Sequence, residues 1–132
     1  MINRINTPED LPPILLIKDD IEQHIDYDRS SWLQWLVENC KNPLIGIFAD
    51  IENNDTEANG YAVALNAISP PFTQSVVVMY IFTNGDTHQL IDAIKAWAEA
   101  VGANRVEMQT EDSDSVAEFG FVKTSTVVSI TI

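Results

Sequence analysis

The stretch SVVVMYIFTNGDTHQLIDAIKAWAEAVGANRVEMQT, residues 75–110, decides the fold. It opens on Val76, Val77, Val78, Met79, Tyr80, Ile81 and Phe82, an unbroken apolar run. Strands covered on both faces read this way, so residues 75–82 are a central strand. Helical spacing then takes over. Leu90, Ile91, Ile94, Ala98 and Val101 fall on one stripe, Trp97 stands beside it, and Gly102 supplies the stop. Residues 105–110 alternate in character and read as a second strand. A strand, a helix and a strand in this order join parallel neighbours through a right-handed crossover.

Outward toward the N-terminus, residues 44–51 and 61–68 read as two strands around the polar turn NNDTEANG, a long hairpin with an acidic tip. Before it, residues 32–39 form a helix capped by Ser30 or Ser31, with Trp32, Leu33, Trp35, Leu36 and Val37 broad enough to be mostly buried. Residues 2–5 read as a short strand. Thr7-Pro8-Glu9-Asp10 starts a helix, with a threonine cap, a proline in the first turn and acids behind it. Pro12 and Pro13 make its beginning irregular, and isoleucines at 14, 17, 21 and 25 continue it. Outward toward the C-terminus, residues 112–119 form a short helix and residues 126–132 a last strand. Strands and helices alternate in a way that predicts one α/β domain over residues 1–132, with a mixed sheet.

Composition sets limits. The chain has 132 residues, 45% of them hydrophobic, enough for a substantial core. Twenty acidic and seven basic residues give a net charge of −13, with no Lys/Arg cluster. Direct nucleic-acid binding through a basic patch is excluded on that ground. Cys40 is the single cysteine and predicts a buried structural thiol. No apolar run reaches the roughly 18 residues of a membrane span, and residues 1–4 lack an apolar signal core. The expectation is a cytoplasmic protein with no membrane association. Two histidines far apart, His24 and His88, with one cysteine, offer no metal-ligand spacing.

Three segments in order resemble one family. INRINTPEDLP (2–12), LIDAIKAWAEAVGANRVEM (90–108) and VAEFGFVK (116–123) are similar to the opening, the central helix with its following strand, and the final turn of the GNAT superfamily of N-acetyltransferases. The resemblance implies a mixed central sheet of about six to seven strands with helices on both faces. It also implies an acetyl-CoA site between the central strand and its helix. In the family a Gln/Arg-x-x-Gly-x-Gly/Ala loop lets backbone N–H groups and the helix N-terminus meet the pyrophosphate.

On this chain the corresponding residues are Ile81, Phe82, Thr83, Asn84, Gly85 and Thr87, the cofactor-binding set if CoA binds. They depart from the pattern. Phe82 stands for Gln or Arg, Thr87 for the second small residue, and Asp86 adds a negative charge; no Lys or Arg lies between Lys41 and Lys95. Read locally, Asn84-Gly85 is a turn and Asp86 or Thr87 a helix cap. Val116 stands where many family members carry a tyrosine general acid. The candidate catalytic residues are then Tyr80 and Glu107, with Glu111 and His88 behind them. The family's strands leave a gap that CoA fills, and Phe82 is a candidate to plug it.

The expected function is a non-catalytic protein-binding or assembly component with an eroded acyl-CoA site, no cofactor, a protein partner and room for oligomer formation. The alternative is an active small N-acetyltransferase that moves an acyl group from acetyl-CoA to an amine. An acidic mimic of nucleic acid ranks last, because residues 50–57 and 107–118 form two separate acidic clusters rather than one spaced row.

Overall fold

A computed structural model describes residues 1–17, 28–52, 57–69, 73–108, 114–121 and 130–131. In chain order these residues form β1 (Ile2–Arg4), a 3-10 turn (Pro8–Asp10), α1 (Pro12–Leu15), α2 (Arg29–Asn39), β2 (Ile45–Asp50), β3 (Gly60–Ser69), β4 (Thr73–Thr83), α3 (Thr87–Ala100), β5 (Arg105–Met108) and a 3-10 helix (Asp114–Phe119). The described strands make one five-stranded sheet in the order β1-β2-β3-β4-β5. The first three pairings are antiparallel and β4–β5 is parallel. The mixed sheet and the crossover through α3 are as the sequence predicts. The count is five among the described residues rather than six to seven; the predicted strand at 126–132 lies almost wholly outside them.

Two cores sit on opposite faces of the sheet. On one, Leu11, Ile14, Ile17 and Leu36 pack against Ile45, Ile47, Ala49, Tyr61, Val63 and Phe82. On the other, Leu90, Ile94, Trp97 and Ala98 of α3 pack against Phe48, Ala62, Ala64, Val76 and Val78. Helices thus cover both faces. Strand alternation explains the split, because successive side chains leave a strand in opposite directions. Odd-numbered residues of β2 and β3 face α1 and α2, and even-numbered ones face α3.

In β4 that alternation changes phase. Val63 is opposite Tyr80 while Ala64 is opposite Val78, which leaves Met79 as an extra residue in a β-bulge. Val76 and Val78 face α3 before it; Tyr80 and Phe82 face α1 and α2 after it. Without the bulge both aromatic rings would point toward α3.

Several local expectations change. The beginning of the first helix is broken into a 3-10 turn and the four-residue α1, because the prolines at 12 and 13 remove backbone donors; its predicted continuation through residues 21 and 25 lies outside the described residues. Thr7 makes no side-chain bond to the backbone; its hydroxyl donates to Asp10 instead, at 2.9 Å. Asp28, not a serine, caps α2, accepting from the amides of Ser30 and Ser31. Only Leu36 of α2 is fully buried, while Trp32, Leu33 and Trp35 are half-buried and Val37 is exposed. The predicted helix at 112–119 is a 3-10 helix over Asp114–Phe119. Cys40 is buried, as predicted.

Candidate functional site

The end of β4, the loop after it and the start of α3 form one continuous track. Gly60, opposite Thr83, makes this end of the sheet possible. A side-chain carbon on Gly60 would lie 2.4 Å from the Phe82 carbonyl oxygen and 2.6 Å from Thr83 Cα. A neighbour without a Cβ is therefore required for β3 to close on β4.

On its other side, β4 pairs in parallel with β5 from Ser75 to Val78, opposite Arg105 to Met108, and residues 109–113 lie outside the described residues. β4 itself continues to Thr83. A strand of this kind can pair its main-chain N–H and C=O groups with a ligand that carries amides. The stretch from Met79 to Thr83 lies at the C-terminal end of a parallel pair, where α/β sheets place their ligands.

The loop is closed by its own hydrogen bonds. The Gly85 amide donates to Thr83 Oγ1 at 2.8 Å, and the Asn84 amide to the Asn59 carbonyl at 2.9 Å. Asp86 is the N-cap of α3, its Oδ1 accepting from the His88 amide at 2.9 Å. The cap expected at Asp86 or Thr87 is Asp86, and Thr87 begins the helix. His88 is exposed, its Nδ1 lies 3.3 Å from the same Asp86 oxygen, and its ring meets Phe119 edge-on.

Tyr80 and Glu107 stand on the same face of the sheet as α1 and α2. Tyr80 is half-buried in an aromatic cluster, 5.1 Å from the Tyr61 ring and 5.4 Å from Trp32, which stacks on Trp35. The Trp32 indole donates to the hydroxyl of fully buried Tyr61 at 2.8 Å. Glu107 lies opposite Val77 and pairs with Arg105 at 2.5 Å. Its carboxylate is therefore engaged by its own strand. Ile81 packs toward α3, and Phe82 is buried in the core that faces α1 and α2. Glu111 and His24 lie outside the described residues, as does the side chain of Val116. No group of three metal-ligating side chains occurs among the described residues.

Sequence reasoning missed Asp50. Its side chain is buried at the end of β2, 3.1 Å from the Met1 amino group. A side-chain carbon on Gly85 would sit 3.4 Å from its second oxygen. The only signal was an acid closing an otherwise apolar strand. No helix among the described residues is long and apolar enough to cross a membrane.

No protein-family model matches the sequence, and no curated protein matches it. Solved structures do. AAC(6')-Iy, solved with the bisubstrate analogue CoA-S-monomethyl-acetylneamine, superposes at a TM-score of 0.79 with 17% identity, over 100% of this chain and 97% of that one. The aminoglycoside 6'-N-acetyltransferase AAC(6')-Ih of Acinetobacter baumannii gives 0.76 and 13%, over 100% and 97%. An acetyltransferase of Trypanosoma brucei gives 0.75 and 10%, over 100% and 99%. With the whole chain covered in each case, this protein has the fold of the GNAT acetyltransferases.

Proposed function

We propose that the chain is an N-acyltransferase that takes an acyl group from acetyl-CoA and passes it to an amine. The observation that carries this reading is the full-length likeness to acetyltransferase structures, one of them solved with a CoA-containing analogue. Main-chain groups of Ile81, Phe82 and Thr83 would pair with the amides of the pantetheine arm, a mode that asks nothing of their side chains. The end of β4 runs within a few residues into the start of α3, which supports it further. The balance thus moves to the enzyme and away from the non-catalytic component.

In the reaction the amine nitrogen bonds to the thioester carbonyl and the C–S bond breaks. The nitrogen loses a proton and the departing thiolate gains one. Tyr80, immediately before the cofactor-binding set and beside the bulge, is the candidate donor to the thiolate. Glu107 is the weaker candidate, since Arg105 already holds its carboxylate. Thiol release from acetyl-CoA in the presence of a panel of primary amines tests the reading. Amine-dependent release is expected, and Tyr80→Phe should reduce it about 100-fold, the lower end of what a positioned proton donor contributes.

The non-catalytic reading keeps one observation in its favour, the Asp86 carboxylate at the N-terminus of α3. Calorimetry that finds no acetyl-CoA binding at millimolar concentration would decide for it.

A further inference from the structure

A ligand laid along the edge of β4 leads into the loop at 84–86 and the N-terminus of α3, since the strand runs directly into both. A helix N-terminus is ordinarily a good place for phosphate, because its first amides lack partners and its dipole is positive. Here the chain supplies the anion itself. The Asp86 carboxylate accepts from the His88 amide, and the Gly85 amide is taken by Thr83 Oγ1. Asp50, beside Gly85, is paired with the Met1 amino group at 3.1 Å, so the negative charge at the helix start is that of Asp86. The side chain in this loop that can become cationic, His88, already faces Asp86. The loop after β4 thus disfavours a pyrophosphate, while a neutral amide arm paired with the β4 main chain would meet no such charge.

Resting on the acyl-transfer reading above, we infer that the donor is recognised by its acylated pantetheine arm alone, and that Asp86 keeps the phosphates of CoA in solvent. The substrate class is then any acyl-pantetheine thioester, with no requirement for the nucleotide. Asp86 is the residue that sets this specificity.

Titration of the whole chain with acetyl-CoA and with S-acetylpantetheine at about pH 8, where an ordinary imidazole is neutral, tests the inference. Acetyl-CoA should bind no more tightly than S-acetylpantetheine. Asp86→Asn keeps a good helix cap and removes the charge. It should tighten acetyl-CoA on the order of tenfold, the Coulomb effect expected of a unit charge near a doubly charged group in water, and leave S-acetylpantetheine unchanged. A native preference for acetyl-CoA of tenfold or more, or an Asp86→Asn variant with unaltered acetyl-CoA affinity, overturns the inference while the acyl-transfer reading stands. If neither thioester binds, the acyl-transfer reading falls and takes the inference with it.

Discussion

Gly60 occupies a position that excludes every side chain. The carbon that alanine would add meets the backbone of Phe82 and Thr83 at 2.4 to 2.6 Å, and backbone cannot rotate away as a side chain would. Gly60→Ala should therefore destabilise the protein by about 2 kcal/mol or more, in the range of overpacked sites, measured as a lower urea midpoint. Gly85 makes a useful contrast, because the same carbon there meets its nearest neighbour at 3.4 Å. At this scale the sequence was legible in part. An acid just before a periodic run marks a helix cap, and Asp86 is one. The same rule applied at residues 28–31 pointed to two adjacent serines, yet the preceding Asp28 holds both of their amides. Which of three neighbouring cap residues stays outside the helix is settled by backbone angles, and composition does not encode them.

Among the elements, α2 shows how far a helix can depend on few contacts. Leu36 is its fully buried side chain, so Leu36→Ala should cost about 3 kcal/mol in equilibrium unfolding, while Glu38→Ala on the exposed side should change stability little. Its cap carries a pH signature. Hydrogen bonds from the Ser31 hydroxyl, then from backbone amides, hold the Asp28 carboxyl below its ordinary value of 3.8. A depressed carboxyl stabilises the fold above its unfolded pKa and loses that contribution as the pH falls through the native value. The melting-temperature gap between the native protein and Asp28→Ala should accordingly be constant at neutral pH and close below about pH 3.8. β4 marks where element-level reading gave out. A continuous apolar run identifies a central strand because both faces are covered, and for the same reason it hides a change of phase. The bulge at Met79 was invisible, although it decides that Tyr80 joins the aromatic cluster with Trp32 and Tyr61. Deleting Met79 should turn Tyr80 and Phe82 toward α3 and abolish cooperative unfolding, whereas Met79→Ala, at an exposed position, should not.

Over the whole molecule, a net charge of −13 on 132 residues opposes compaction. Added sodium chloride screens that repulsion, so the melting temperature should rise between about 10 mM and 0.5 M salt, where the Debye length shrinks from roughly 30 Å toward 4 Å. A fall over that range would contradict the picture. The strand order β1-β2-β3-β4-β5 matches their order along the chain, and it bears on how the molecule assembles in time. β2, β3 and β4 can zip together as successive hairpins, each closing a short loop at small entropic cost. The parallel β4–β5 pairing must wait until α3 has carried the chain back across the sheet. Folding should then begin in the antiparallel meander and finish at β5. Truncating Val63 should slow folding, and truncating Val106 should mainly hasten unfolding. The edge of β4 beyond Val78 would be the last part of the sheet to acquire its surroundings, so the proposed donor site would form only once the rest of the chain is in place.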